Sequence, residues 1–192
     1  MSFLQPQIKG SIAVGAQVGA AAQVVALPVG ADGSVLTADS AQLSGLKYAA
    51  PTGVDIGVSV TAAAPQTILT GSTTTLTFNT EDWDTSGFHD NVVNNDRLTV
   101  PVGLAGKYLV TFNVTFDSSA AGSRIVGVHK NGSGIYITDS RDGTSGGFGT
   151  SVSISGFVSL AVGDFITGIV HQNSGGNIDV NSGRRLQMQK VG

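Results

Sequence analysis

The stretch that decides the fold is Lys107-Tyr108-Leu109-Val110-Thr111-Phe112-Asn113-Val114-Thr115-Phe116. Every second residue from Tyr108 to Phe116 is apolar, and Thr111, Asn113 and Thr115 lie between these apolar residues. Alternation of this kind places the apolar side chains on one face of a strand, whereas a helix would distribute them around its axis. The stretch therefore predicts a β-strand with one buried face.

Similar strand patterns recur on both sides of this stretch, separated by turn residues. Residues 150–160 alternate apolar residues with serines, and Asn131-Gly132 favours a tight hairpin because both residues tolerate positive φ. We predict strands at 74–79, 98–100, 106–116, 124–130, 135–139, 150–160, 164–172, 177–180 and 184–191. Many short strands without a helical pattern predict an all-β protein, an antiparallel β-sandwich or jelly roll.

The composition excludes several functions. Only 12% of the residues are charged, against roughly 25% in an average soluble domain. The net charge is −3 and Arg184-Arg185 is the one adjacent basic pair, which we interpret as a solvated strand end. Without a basic cluster to neutralise phosphates, nucleic-acid binding is not expected. The chain has no cysteine, which excludes disulfides, thiolate zinc sites and a cysteine nucleophile.

The charges are sparse in the first part of the chain, and we divide the sequence accordingly. Residues 1–50 are predicted to be an extended N-terminal arm, 51–70 a connector and 71–192 the β domain. Gly10 to Gly30 carries no charge, and its length is close to that of a membrane span. Its side chains are mostly small and include Gln17, Gln23 and Pro28, so we expect contact with another protein rather than with a membrane. The small side chains we assign to that contact are Ala13, Ala16, Ala20, Ala21 and Ala22.

Three features could carry chemistry, and none has the required context. Gly143-Thr144-Ser145-Gly146-Gly147 matches a hydrolase nucleophile motif, but no helix is predicted after it, so we interpret it as a flexible loop. The histidines (His89, His129 and His171) show no recognised metal-ligand spacing. We therefore expect no enzyme activity, no cofactor and no metal.

An acidic segment and three aromatic residues leave further ligands open. The carboxylates and amides of this segment offer the oxygen ligands that Ca²⁺ prefers, although a solvated loop with Trp83 packed beneath it is the simpler interpretation. The residues of the segment are Glu81, Asp82, Asp84, Asp90, Asn91, Asn94, Asn95 and Asp96. Trp83, Tyr136 and Phe148 could stack on sugars, and core packing is the alternative that we prefer for each.

Four runs in residues 71–192 together resemble the C1q/TNF-like jelly roll. They are Phe78 to Thr85 with Arg97 to Pro101, then Gly106 to Val110, the hairpin run Val128 to Gly132, and Gly156 to Ile166 with its Gly163-Asp164 turn. The family often ends with a Phe-Ser-Gly-Phe-like run, whereas this chain has Leu186-Gln187-Met188-Gln189. The resemblance implies a homotrimer. Closed threefold symmetry would also cover the sheets of a cysteine-free sandwich without leaving open edges.

The arm contains a second resemblance. Asp32 to Ser40, followed by Gly45 to Ala49, is similar to a motif of bacteriophage head and tail appendages, where it joins an attachment segment to a distal domain. The two resemblances together imply a structural virion protein on the outer surface of a phage particle. In this interpretation the arm binds the major capsid protein or another shell protein, and the trimeric jelly roll projects outward as a capsid decoration or head fibre.

Two alternatives remain open. One is a tail-fibre or tail-tip protein that recognises host-surface glycans. The other is a secreted C1q-like lectin or adhesin, against which the absence of a signal-peptide pattern argues.

Overall fold

The computed structural model describes residues 12–18, 21–42, 44–49 and 55–191. The chain divides into two compact units, Met1–Val54 and Asp55–Gly192, which we call the N-terminal unit and the C-terminal unit. The described residues of both units form strands, turns and loops and contain no helix. The all-β prediction is therefore confirmed.

The described part of the N-terminal unit consists of two small antiparallel sheets. Its strands are β1 Ile12–Val18, β2 Ala21–Leu27, β3 Val35–Ala38 and β4 Leu46–Ala49. β1 pairs with β2 from Ile12 opposite Leu27 to Val18 opposite Ala21, and β3 pairs with β4 from Val35 opposite Ala49. A Cβ atom on Gly30 would lie only 2.5 Å from Cγ of Tyr48, so the ring of Tyr48 packs directly on the backbone there. Of the small side chains that we assigned to partner contact, Ala20 lies outside the described residues.

The C-terminal unit is a sandwich of two antiparallel sheets. Its strands are β5 Gly57–Thr61, β6 Gln66–Ile68, β7 Thr73–Thr75, β8 Thr80–Asp84, β9 Arg97–Thr99, β10 Gly106–Phe116, β11 Ser123–Lys130, β12 Ser133–Asp142, β13 Thr150–Leu160, β14 Phe165–Gln172, β15 Ile178–Val180 and β16 Arg185–Lys190. The seven-stranded sheet has the order β6-β15-β10-β16-β5-β8, with β13 paired to the other side of β10. The five-stranded sheet has the order β12-β11-β14-β7, and β9 also pairs with β14.

The core lies between the two sheets, and β10 contributes most to it. Its alternating residues Tyr108, Val110, Phe112, Val114 and Phe116 are at most 2% exposed, as their pattern predicts. Strand β13 behaves in the same way, with Val152, Ile154, Val158 and Leu160 buried and its serines exposed, although Phe157 also faces outward. Both strands pair along their full length, from Gly106 opposite Leu160 to Phe116 opposite Thr150.

The sandwich begins earlier in the chain than we predicted. The segment 51–70, interpreted as a connector, contains β5 and β6, and β5 lies inside the seven-stranded sheet between β16 and β8. Val58 and Val60 of β5 are fully buried. The predicted strand at 74–79 is also shorter, because β7 ends at Thr75 and Leu76 and Phe78 are buried outside it.

The hairpin between β11 and β12 turns at Asn131-Gly132, as predicted. Asn131 has φ 52° and Gly132 has φ 73°. Two consecutive residues with positive φ match the right-handed twist of the flanking strands, and this is the reason that Asn-Gly favours such turns.

Candidate functional site

The outer face of the seven-stranded sheet has a shallow cavity of about 80 Å³ beside Trp83. It is lined by Trp83, Leu109, Thr111, Gln187 and Gln189, and we call it the Trp83 cavity. Trp83 extends from β8 across β5, where a Cβ atom on Gly57 would lie 3.2 Å from the indole ring. Gly57 therefore leaves room for the ring, and a Cβ atom there would also lie 2.4 Å from the carbonyl oxygen of Met188. No residue lining the cavity carries a charge.

Hydrogen bonds between side chains cross four strands next to this cavity. Thr111 donates to Oε1 of Gln187 at 3.0 Å, and Nε2 of Gln187 donates to the buried Ser59 hydroxyl at 3.1 Å. Ser59 in turn donates to Asp82 at 2.7 Å, and Arg185 pairs with the same carboxylate at 3.1 Å. The network fixes the side chains on this face, so the face is ordered before any partner binds.

An exposed apolar strip lies at the edge where β12 and β13 meet. A Cβ atom on Gly156 of β13 would lie 2.8 Å from Cδ1 of Ile137 on β12, so the two sheets approach closely there. On the two strands that meet here, Ile135 and Tyr136 of β12 and Phe157 of β13 are 57–66% exposed, and we call these three residues the edge strip. Phe157 lies opposite Leu109 and shares its outward side of the sheet. Large apolar side chains exposed on neighbouring strands are typical of protein–protein contact sites. In the described chain β12 pairs only with β11 and β13 only with β10, so each has an unpaired edge.

Two of the runs that carry the jelly-roll resemblance contact each other. Nζ of Lys130 lies 2.7 Å from Oδ2 of Asp164, and Nδ2 of Asn131 donates to Oδ1 of Asp164 at 2.8 Å. The amide N–H groups of Ala161 and Phe165 donate to Asp164 and Asn131, respectively. The hairpin turn is thereby fixed to the turn between β13 and β14. The hydrogen bonds from Asn131, Lys130 and Ala161 lower the pKa of Asp164 to about 2.

Replacing Asp164 by asparagine is expected to lower the free energy of unfolding by about 1–3 kcal/mol at pH 6, because hydrogen bonds to a charged group are lost. The pKa of this carboxyl is lower in the folded chain than in the unfolded chain, where it is about 3.9. The charged carboxylate therefore contributes its full stabilisation of the fold above about pH 4. It is lost as the pH falls through 2. Thermal unfolding measured from pH 6 to pH 2 should show the Tm of Asp164→Asn and the Tm of the wild type approaching each other as the pH falls. The exposed Asp142→Asn variant is the control, and a constant difference between wild type and Asp164→Asn would contradict this account.

The acidic segment is a loop only in part, because Glu81, Asp82 and Asp84 lie on β8 whereas residues 90–96 lie in the loop between β8 and β9. Trp83 is not packed beneath that loop, since it belongs to β8 and is 37% exposed. Asp84 accepts hydrogen bonds from the amides of Ser86, Gly87 and His89. Asp90 accepts hydrogen bonds from the amides of Val93 and Val92, which lower its pKa. In the part of the chain that the structure describes, no three acidic or histidine side chains converge as metal ligands would.

The three histidines lie on separate elements. The ring nitrogens of His89 lie 3.0 Å from the carbonyl oxygen of Arg97 and 3.2 Å from that of Phe78. His129 belongs to β11 and His171 to β14.

The Gly143–Gly147 run lies in the loop between β12 and β13, as predicted. A Cβ atom on Gly143 would lie 2.2 Å from the carbonyl oxygen of Ser119. The absence of a side chain at Gly143 therefore allows the two backbone segments to pack closely.

The core-packing prediction for three aromatic residues is wrong. Trp83 is 37%, Tyr136 57% and Phe148 77% exposed. Tyr136 lies on the edge strip and Phe148 in the glycine-rich loop after β12. Their apolar character suggested burial. Tyr136 faces outward because its neighbour Ile137 packs against the core from β12, whereas Trp83 lies at the cavity on the outer face of its sheet.

The prediction that Arg184 is a solvated strand end is also wrong, since the residue is only 3% exposed. Its guanidinium donates to the carbonyl oxygens of Thr77 and Ala64. Arg124, which the sequence did not single out, is fully buried and donates to the carbonyl oxygens of Ala121 and Ser119. Burial lowers the pKa of both arginines. Each arginine fixes irregular backbone that has no strand partner.

No helix within residues 12–18, 21–42, 44–49 and 55–191 is long and apolar enough to cross a lipid bilayer.

Comparison with known proteins finds similarity in structure only. No family model matches the sequence, and no curated protein sequence matches it. The structure is similar to crystal structures of murine APRIL at pH 8.0, pH 5.0 and pH 8.5, with TM-scores of 0.55, 0.54 and 0.53. These structures are 15%, 16% and 15% identical to the chain, and each comparison covers 72% of this chain and 100% of the APRIL chain. The fold is therefore a TNF/C1q-like jelly roll.

Proposed function

We propose that the protein is a structural component of a bacteriophage virion, a homotrimeric decoration or head-fibre protein on the outer surface of the particle. Residues 1–50 attach it to the major capsid protein or another shell protein, and the jelly roll projects outward. Its function is adhesion and assembly rather than catalysis. The observation that carries the proposal is the division into a jelly roll from Asp55 onward and a separate, weakly charged N-terminal unit that contains the appendage-like motif.

Two surfaces of the jelly roll support the homotrimer. The edge strip exposes three large apolar side chains, one of which, Phe157, lies opposite Leu109 on the outer face of the seven-stranded sheet. The Trp83 cavity on that face is lined by uncharged residues and offers an indole ring and Leu109 as apolar contacts. In this arrangement the edge strip of one copy packs on the Trp83 cavity of the next copy. The same contact is then repeated head to tail from copy to copy. Such a heterologous contact closes into a ring when the rotation matches, and three copies would then leave neither surface exposed.

Deleting residues 1–50 tests the attachment. The remaining jelly roll has its own core and is expected to stay a soluble trimer, while its incorporation into particles should fall to background. Incorporation is measured by adding purified protein to particles that lack it and quantifying the bound protein after sedimentation. Full incorporation of the truncated trimer would show that the arm is not the attachment segment.

A tail receptor-binding protein is a second candidate, favoured by the position of Phe148. Gly149 packs against Phe116 at one end of β10, whereas the chain enters the sandwich at Ile56, beside the opposite end of β10. An 11-residue strand separates the two ends, which amounts to roughly 35 Å at about 3.3 Å per residue. An exposed aromatic ring this far from the attachment end could stack on a sugar. Binding to a glycan array that is lost in Phe148→Ala would favour this candidate, and a protein that binds no glycan would favour decoration.

A further inference from the structure

Another cavity, of about 290 Å³, lies beside the loop that joins β8 to β9. Its volume is near the lower end of the range for small-molecule sites, about 300–1,000 Å³. The residues that line it include Asp90, Val93, Asn94, Arg97 and Thr99, and we call it the Arg97 cavity. None of its lining residues belongs to the edge strip or to the Trp83 cavity.

Hydrogen bonds fix the loop that forms this cavity. Asp84 accepts hydrogen bonds from three backbone amides of the loop, and Asp90 accepts two more. Both ring nitrogens of His89 contact carbonyl oxygens, one of Phe78 and one of Arg97. The cavity is therefore formed before any ligand binds, and a ligand would not have to order the loop, which is one of the main costs of binding.

Arg97 brings a cation without a counter-charge to the cavity. Its guanidinium carbon lies 4.7 Å from the centroid of the Phe165 ring, and this cation–π contact holds the group in place. Among the residues that the structure describes, no carboxylate lies within salt-bridge distance of Arg97. Its N–H groups are therefore available to a ligand, and their fork matches a carboxylate in two parallel hydrogen bonds.

Three further side chains give the cavity additional donors and acceptors. Within the described chain, Asn94 and Thr99 contribute only backbone groups to hydrogen bonds, so their amide and hydroxyl groups are available. Asp90 uses Oδ1 for the amides of Val92 and Val93, and its other oxygen can accept a hydrogen bond from a hydroxyl group. Val93 is 60% exposed and adds apolar surface.

We propose that the Arg97 cavity binds a sugar that carries a single carboxylate, such as a uronic acid. Arg97 pairs with the carboxylate, and Asn94, Thr99 and Asp90 bind the hydroxyl groups. The carboxylate of Asp90 would repel a multiply charged anion such as phosphate, whereas a sugar hydroxyl donates to it. This inference goes beyond the proposed virion role, and it does not depend on the homotrimer.

Saturation-transfer NMR of the full chain with methyl glucuronide tests the ligand class. Methyl glucoside lacks the carboxylate and acetate lacks the sugar, so these two compounds are matched probes. We expect the glucuronide to bind with a Kd of about 1 mM, as is usual for a ligand of this size. The two other probes should bind at least about ten-fold more weakly, because each lacks one group of contacts.

Three results with these probes would overturn the inference. Equal binding of the glucoside would show that Arg97 does not recognise a carboxylate. Equal binding of acetate would show that the hydroxyl groups are not bound. The third is the absence of any transfer to the glucuronide at about 10 mM, ten times the expected Kd.

Two variants test the residues. Arg97→Gln should weaken glucuronide binding about ten-fold or more, because charge-assisted hydrogen bonds are lost. Asn94 has φ 56°, which glycine adopts without strain, so Asn94→Gly should keep the loop and weaken binding about two- to ten-fold. Arg141→Gln removes the same charge from an exposed position on β12 and should leave the affinity unchanged. Unchanged affinity in Arg97→Gln or Asn94→Gly, or an equal loss in Arg141→Gln, would show that the inference is wrong.

Discussion

Phe112→Ala is expected to lower the free energy of unfolding by about 3–5 kcal/mol, the range for deleting a fully buried phenylalanine. The ring of Phe112 is fully buried and packs edge-to-face on Phe78, with 6.4 Å between the ring centroids. On the other sheet it lies directly on the backbone, since a Cβ atom on Gly168 would be 2.6 Å from Cζ of Phe112. A glycine has no side chain that could move into the space, so the cavity should stay open.

Guanidinium denaturation of the wild type and the variant measures this loss. Phe148→Ala is the matched control, because its ring is 77% exposed and its removal should change the free energy by less than about 0.5 kcal/mol. A loss below about 1 kcal/mol for Phe112→Ala would mean that the two sheets do not pack through this ring.

Phe157→Glu is expected to convert the proposed trimer into monomers. The ring of Phe157 is 66% exposed in the single chain, so a glutamate there should have little effect on the folding of one copy. In the proposed trimer the same position faces the uncharged Trp83 cavity of the next copy. An unpaired carboxylate buried in that contact costs several kcal/mol, which is enough to dissociate the assembly at micromolar concentration.

Phe148→Glu is the control for this variant as well, because it introduces the same charge at a more exposed phenylalanine outside the edge strip. Light scattering coupled to size-exclusion chromatography should give a trimer for Phe148→Glu and a monomer for Phe157→Glu. Circular dichroism should show β structure in both. A trimeric Phe157→Glu protein would place the contact between copies elsewhere on the sandwich.

The sequence predicts the long strands well and the short ones poorly. β10 and β13 are half-buried over eleven residues each, so their alternation is unambiguous. β5 has only five residues and pairs with β16, near the other end of the chain. The sequence around Gly57–Thr61 does not indicate that β16 is its pairing partner. For this reason the sequence alone led us to interpret the segment as a connector.

The candidate surfaces were less predictable because they depend on which way each side chain faces. Ile135, Tyr136 and Ile137 are consecutive apolar residues, so the sequence does not tell which of them is buried. The pairing of β11 with β12 shifts register after Val128, and this irregularity, together with the space above Gly156, puts Ile137 inside. Arg124 and Arg184 were missed for a related reason, since a formal charge predicts exposure unless its partners are known.

The most direct test of the central claim is the mass of the purified full chain by sedimentation equilibrium at micromolar concentration. A homotrimer should give three times the chain mass of 19.4 kDa, with no dependence on dilution over a ten-fold range if the edge strip is buried as proposed. A single species of 19.4 kDa would contradict the account, because the edge strip and the Trp83 cavity would then be surfaces for some other partner.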